Sequence, residues 1–282
     1  MPELPEVERE RRRLRRVMDG VRIERVELRR PDLRAPFPPD FVDRLEGQTV
    51  VRLTRRAKYL MAALSSGDAL LMHLGMSGSF RIVAARATGG SGGYYYQRSE
   101  DPKHDHVVFH LSSGTCVVFN DPRRFGSMTI VAADADVEHP VLAALGPEPL
   151  ARGFDARTLA RSLRGRKTSL KAALLDQRVV AGLGNIYVSE ALHVARLSPA
   201  RRASTMVTAG GEPRPGLVDL AAAIRTVLRK AINRGARYQG RDDRFLVYDR
   251  EGLRCVRRGC SGVIRRIVQG GRSTFYCPVC QR

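Results

Sequence analysis

Four cysteines close to the end of the chain have metal-ligand spacing, Cys255-x4-Cys260-x16-Cys277-x2-Cys280. Two close pairs with a hairpin-sized spacer suit one Zn2+ held tetrahedrally by four thiolates. They are four of only five cysteines, and all lie in the last 28 residues, which argues for metal and against scattered disulfides. A module this small has little core, so the metal would supply much of its fold stability. The fifth, Cys116 in "TCVVFN", reads as a buried strand residue. Between the pairs, Arg265, Arg266 and Arg272 fall on a predicted hairpin and suit phosphates.

Other stretches carry weaker signals. In "VVAGLGNIYVSEAL", Gly182 and Gly184 permit a tight turn, and Asn185 is expected as the N-cap of the next helix, whose free N–H groups suit a phosphate. "NDPRRFG" sets Arg123 and Phe125 two apart, so a cation and an apolar wedge can point the same way into a base stack. A hairpin with a core phenylalanine fits the same pattern. "KHDH" places His104 and His106 around Asp105, which suits phosphate contact or sheet-edge hydrogen bonding better than a metal. Lys58 stands alone in the arginine-rich strand "RRAKYL". The chain opens "MPELPEVERE", which suits either helix capping or a chain end that is itself a reagent.

The composition narrows the partner. The 282 residues carry a formal net charge of +20, which implies a polyanion, most simply nucleic acid. A basic membrane-surface protein would want bulky apolar anchors on an amphipathic helix, and tryptophan is absent. No apolar run approaches a bilayer span and no secretory segment follows Met1, so a cytoplasmic location is expected. Only five of the 49 basic residues are lysines, so each surviving lysine is a candidate for proton chemistry that guanidinium cannot perform.

These residues need elements to position them. Leu4, Val7, Leu14, Val17 and Met18 mark an amphipathic helix over residues 4–18, acidic at its start, basic at its end and stopped by Gly20. Eight short alternating segments follow to about residue 132 and predict an antiparallel sandwich or barrel. They are "VRIERVEL", "VVRLTR", "YLMAAL", "ALLMHL", "SFRIVA", "HVVFHL", "TCVVFN" and "SMTIVA". Inside this region "ATGGSGGYYYQRSEDPKHDH" reads as a long surface loop whose tyrosines could stack on bases. A Pro-punctuated linker covers 133–154. Residues 155–240 read helical, with "TLARSLRGRKTSLKAALLDQRVV" as one stretch and Ser198-Pro199 as an N-cap with proline at N1. Residues 241–282 form the basic cysteine module.

Taken together, the motifs resemble bacterial formamidopyrimidine-DNA glycosylases, within the wider group that includes endonuclease VIII-type glycosylases. The resemblance spans nearly the whole chain, through "MPELPEVE", "RRAKYL", "HLGMSGS", "KHDH", "NDPRRFG", "LGPEPL", "DQRVVAGLGNIY" and "TFYCPVCQ". It implies an α+β multidomain fold: an N-terminal β-sandwich carrying the N-terminal helix, a helix–two-turn–helix domain and a C-terminal four-Cys zinc finger. It also implies a monomer that binds damaged double-stranded DNA, associates with the nucleoid, excises a flipped oxidised or ring-opened base in base excision repair and nicks the strand by β,δ-elimination.

The resemblance assigns roles residue by residue. Removal of Met1 would leave Pro2 with a free secondary amine. An α-amino group titrates well below lysine, so part of it is unprotonated at neutral pH and can attack the sugar C1′ to give a Schiff base. Glu3 would protonate the opening sugar ring, and Glu6 would support the site. Lys58 and Arg272 match residues of the elimination steps and of phosphate grip. Met76, Arg123 and Phe125 match the triad that fills the void left by the flipped nucleotide. His104, Arg166 and Asn185 match DNA contacts, and Lys167 could share the role of Arg166. Lys171, Glu190 and Tyr248 fall on motif positions without an assigned role.

Two departures stand out. Four residues separate Cys255 from Cys260, so the finger's knuckle should be distorted. "NRGARYQGRDDRFLVYDREG" is shorter than the Gly-, Thr- and Asp-rich loop that caps an extruded purine in the family, which removes the basis for expecting 8-oxoguanine specificity. Two alternatives follow: the same chemistry on oxidised pyrimidines, ring-opened purines or abasic sites, or a damaged-DNA binder without catalysis. The intact Pro2-Glu3 pair and Lys58 weigh against the second.

Overall fold

Helix α1 (Leu4–Met18) buries Leu4, Val7, Leu14 and Met18 along one face. Glu3 is its N-cap, in a reciprocal capping box with Glu6 whose Oε2 accepts the Glu3 N–H at 3.0 Å. Gly20, at φ +76°, turns the chain away as expected. The computed structural model describes residues 2–84, 87–88, 99, 101–132, 139–234 and 245–282. Tyr94, Tyr95 and Tyr96, and residues 235–244 of the shortened segment, lie outside the described residues. Two compact units result, Met1–Ala143 and Ala144–Arg282.

The first unit adds two antiparallel sheets to α1. Strands β1 (Ile23–Leu28), β2 (Val50–Arg56), β3 (Tyr59–Leu64), β4 (Ala69–His73), β5 (Ser79–Ala84), β6 (Ala87–Thr88), β7 (Asp105–Leu111), β8 (Cys116–Asn120) and β9 (Ser127–Val131) arise from the alternating segments. One sheet runs β1-β7-β8-β5-β6 and the other β2-β3-β4-β9. Alternation is plainest in β3, where Leu60, Ala62 and Leu64 are buried and their neighbours half-buried. Val107, Phe109, Val117 and Phe119 join them in the core. Phe37, Phe41 and Leu45, from the irregular β1–β2 connection, fill the same core, a contribution that no period-2 pattern announces.

The second unit is helical with one small hairpin. A short helix α2 (Pro140–Ala143) lies in the stretch expected to be linker and closes the first unit. Then come α3 (Ala156–Leu163), α4 (Leu170–Leu175), α5 (Asn185–Val194) and α6 (Pro215–Asn233). The stretch from Thr158 to Val180 is two helices, because Ser169 caps a new start by accepting from the Ala172 N–H. Ser198-Pro199 starts no helix, contrary to expectation. The Pro199 and Arg201 carbonyls instead accept the Lys171 and Leu170 N–H groups at the start of α4, holding 198–202 as a turn. Strands β10 (Arg265–Gln269) and β11 (Arg272–Tyr276) form a hairpin through Gly270 and Gly271, both at positive φ, as a two-residue turn requires.

Candidate functional site

The N-terminal end of α1 and the β2–β3 turn meet by construction. Gly20 donates to Val50 O, Leu53 N–H donates to Asp19, and Arg55 pairs with Glu8 at 3.2 Å, so β2 runs antiparallel to the helix. The turn after β2 therefore lies at the Pro2 end. Lys58 sits in that turn and not in a strand, because Ala57 takes φ +52° and reverses the chain. Pro2, Glu3, Glu6 and Lys58 are all buried, Glu3 at 2% and Lys58 at 8% exposure. Glu6 also pairs with Arg9 at 2.9 Å.

His73, inside the "HLGMSGS" motif but not singled out by its spacing, belongs to this cluster. It pairs across the sheet with Tyr59, their rings 4.7 Å apart, and its Nδ1 accepts the Gly75 N–H. Burial, then the Lys58 and Arg34 cations, lower its pKa to about 4, so the imidazole is neutral at physiological pH.

Two loops leave this end of the sandwich. Residues 74–78 carry Met76 and residues 121–126 carry Arg123 and Phe125. Met76 and Phe125 are 38% and 41% exposed, so Phe125 is not a core residue. The Arg123 guanidinium lies 4.8 Å from the Phe125 ring centroid, a cation–π pair that keeps the two side chains together. Buried Asp121 ties the loops. Its carboxylate accepts from Ser77 Oγ at 2.5 Å, Gly126 N at 2.8 Å and Arg123 N at 3.3 Å. A Cβ at Gly75, which has φ +60°, would strike the Phe125 and Gly126 backbone, so the loops touch main chain to main chain. His104 ends a 3-10 turn beside them, half-buried, its carbonyl accepting the Asp121 N–H. His106 is buried and its Nε2 meets the Asp121 carbonyl at 2.9 Å.

In the second unit, α4 and α5 are joined by two turns. Gln177 clamps them, its Oε1 accepting from Gly182 N and its Nε2 donating to Leu183 O. The "LGPEPL" segment straps the outside: Gly146 N–H donates to Gln177 O, and a Cβ there would collide with Arg178. Gly184, not Asn185, is the N-cap of α5. Asn185 is the first helical residue and spends its side-chain N–H on Ser273 O at 2.9 Å. Arg166 is half-buried, donating to Ser162 O and to Asp176 at 3.1 Å, while Lys167 is exposed. Hydrogen bonding from Arg178 above all holds Asp176 low, at a pKa of about 2.

Arg272, exposed at the start of β11, is followed by two residues that α4 and α5 grip. Fully buried Lys171 donates Nζ to Thr274 Oγ1 at 2.5 Å and to Ser273 O at 3.1 Å. Asn185 and Arg272 are thus brought together through Ser273. Buried Glu190 accepts the N–H groups of Leu246, Val247 and Tyr248 and so fixes the entry to the finger. Spacing gives Lys171 and Glu190 no role; only the fold shows them as anchors.

The four cysteine sulfurs lie within 4.8 Å of one another, with Cys255–Cys280 at 3.9 Å and Cys260–Cys277 at 3.6 Å. A tetrahedral ion at about 2.3 Å from each sulfur needs about 3.8 Å between them, so the donor set fits one zinc ion. Without an ion, burial and the adjacent thiols push Cys280 up to about 12. The wide first pair closes through a turn from Arg257 O to Cys260 N with Gly259 at φ +76°. The longer knuckle also has a use: Arg257 donates to the His193 and Val194 carbonyls and caps α5. His193 Nε2 stands 3.4 Å from Cys255 Sγ, an outer-shell contact to the ligand set. Cys116 is half-buried on β8 and not fully buried as expected.

Comparison with known proteins agrees with this geometry. Residues 1–128 match the family model of the formamidopyrimidine-DNA glycosylase N-terminal domain, residues 145–241 its H2TH domain, and residues 252–282 a zinc finger found in these glycosylases and in IleRS. Formamidopyrimidine-DNA glycosylases of Rhodopseudomonas palustris and Bradyrhizobium diazoefficiens are 58% and 57% identical over 294 aligned positions covering all of both chains. The solved Lactococcus lactis enzyme bound to abasic-site DNA superposes with a TM-score of 0.83 at 29% identity over all of both chains. That enzyme has also been solved with DNA containing an oxidised pyrimidine. The chain belongs to the formamidopyrimidine-DNA glycosylase family.

Proposed function

We propose that this base excision repair glycosylase is bifunctional, with Pro2 as the nucleophile of both base removal and strand cleavage. Once Met1 is removed, the Pro2 amine attacks C1′ of the damaged nucleotide and the base departs, leaving a Schiff base. Glu3 protonates the ring oxygen as the sugar opens, with Glu6 behind it. Lys58 and Arg272 serve the eliminations and hold phosphates. Met76, Arg123 and Phe125 occupy the space of the extruded nucleotide, and His104, Arg166 and Asn185 contact the strand. One zinc ion on Cys255, Cys260, Cys277 and Cys280 holds the finger. The domain limits 1–132, 155–240 and 241–282, a monomeric state and a place on the nucleoid belong to the same reading. No described helix is long and apolar enough to cross a membrane.

One observation carries the proposal: a buried proline at the chain end shares its end of α1 with a buried carboxylate and a buried lysine. Capping a helix needs the carboxylate but neither of the others. Borohydride reduction in the presence of abasic-site duplex tests it. A covalent adduct is expected from the mature protein and none from a chain acetylated at the Pro2 nitrogen, while Pro2→Gly, which keeps an α-amine, should only weaken trapping. Full trapping after acetylation removes the Pro2 amine from the role.

The lesion range is proposed to extend to oxidised pyrimidines and abasic sites. The segment "NRGARYQGRDDRFLVYDREG" after α6 is short for a loop that caps an extruded purine, which supports this range. Excision rates on matched 8-oxoguanine and oxidised-pyrimidine duplexes decide it. A strong preference for 8-oxoguanine would count against this range.

A further inference from the structure

The outer face of the five-stranded sheet holds a cluster that the DNA-repair site does not use. Register places Arg25 on β1 opposite His110 on β7, and His110 opposite Cys116 on β8. Cys116 Sγ lies 3.3 Å from His110 Nδ1. On the far side of the ring, His110 Nε2 is 2.8 Å from the Arg25 guanidinium and 3.6 Å from Glu27 Oε2. Glu27 is held ionised by its hydrogen bond from Arg29, which lowers its pKa.

The direction of these bonds follows from inventory. Arg25 can only donate, so in a neutral ring Nε2 must accept, and the proton sits on Nδ1, facing sulfur. In a protonated ring both nitrogens carry protons, Nε2–H facing Glu27 and Nδ1–H again facing sulfur. With Arg25 donating to Nε2 at 2.8 Å, the ring therefore aims an N–H at Cys116. A donor held against a half-exposed sulfur, backed by a cation, is the setting of a reactive cysteine and not of an inert buried one. Cys116 begins β8 and the 121–126 loop follows its other end, about 13 Å away along the strand. The cluster is thus separate from the void-filling loops.

We propose that Cys116 is a modification site whose co-reactant is a small hydroperoxide. Sulfur attacks one peroxide oxygen; the S–O bond forms as the O–O bond breaks. The thiol proton is released to water, the Nδ1–H stabilises the thiolate left behind, and the departing oxygen takes a proton from water and leaves as water from hydrogen peroxide or as the alcohol from an alkyl hydroperoxide. Sulfur is oxidised by two electrons to the sulfenic acid and the peroxide is reduced by two. Among the described residues, Val83, opposite Cys116 on β5 and exposed, leaves an open apolar flank that admits a small neutral oxidant. The four finger thiolates are occupied by zinc and compete poorly.

The test uses the full zinc-loaded chain with limiting hydrogen peroxide and a 1,3-dione that captures sulfenic acids, read by peptide mass spectrometry. Cys116 is expected to carry the adduct while zinc stays bound. His110→Asn and Arg25→Gln should each slow labelling about tenfold, with folding of each variant checked by its melting temperature, since Arg25 is exposed and His110 half-buried. Cys116→Ser should abolish labelling and keep full borohydride trapping on abasic DNA. Labelling of Cys116 no faster than a free cysteine derivative, or at a rate indifferent to His110→Asn, overturns the proposal. So does adduct confined to the finger cysteines.

Discussion

Asp121→Asn is the sharpest test of how the void-filling loops are held. The carboxylate accepts two backbone N–H groups and one hydroxyl, and is fully buried. An amide offers one oxygen. If it faces Gly126, the amide nitrogen faces the Arg123 N–H; if it faces Arg123, nitrogen meets Gly126 N–H across 2.8 Å. The Arg123 N–H keeps Ser77 Oγ as an acceptor at 3.2 Å, so the amide oxygen stays on Gly126 and the loss is that of the charged acceptor between the loops. A lost bond to a charged group costs about 2 kcal/mol. In a unit of this size that lowers the melting temperature by about 4–8 °C. The assay is calorimetry of wild type and variant, paired with excision from duplex and trapping on a preformed abasic site. Excision should fall further than trapping, since an abasic site has no base to replace. A melting temperature within about 1 °C of wild type, with both activities unchanged, refutes the account of Asp121 as the tie between the loops.

Chelation of the metal should unfold the finger hairpin, since the small core of Val247, Ile264 and Phe275 leans on two of the cysteines; elemental analysis of the folded chain should return one zinc. Lys171→Met removes both donors from Ser273 and Thr274, so the last elimination should slow at least about tenfold relative to borohydride trapping, read as the ratio of singly to doubly eliminated product on a gel. His73 is held neutral with its pKa depressed to about 4, against about 6.5 unfolded, so it adds stability above pH 6.5 that is lost as pH falls through 4. His73→Gln should flatten that limb, and urea midpoints at pH 7 and 5 that fall equally in both proteins would sink the idea.

The strands and α1 are legible because period-2 and period-3.6 patterns report burial on one face, and each of these elements packs on one face. The cysteine ligands are legible because metal geometry restricts spacing. Other features depend on contacts remote in sequence. Lys58 reads as a strand residue until Ala57 at positive φ puts it in a turn. Ser198-Pro199 has the composition of a helix start, yet its carbonyls are committed to the α4 N-terminus. Asn185 has the composition of an N-cap, but Gly184 takes that place and Asn185 reaches the finger 88 residues away. Lys171 and Glu190 are invisible to periodicity because their partners lie far along the chain, at Ser273 and Thr274 and at residues 246–248.

The main-chain contact between the two loops also sets how this surface can be diversified. Gly75 has no room for a side chain, and Asp121 and Gly126 share one hydrogen bond that neither can leave. Sequence freedom is confined to the tips at Met76, Arg123 and Phe125, where the side chains meet solvent. A combinatorial library aimed at new lesion preferences should randomise those three codons together and keep 75, 121 and 126 invariant. Diversity spread evenly over both loops would mostly yield chains that no longer fold there.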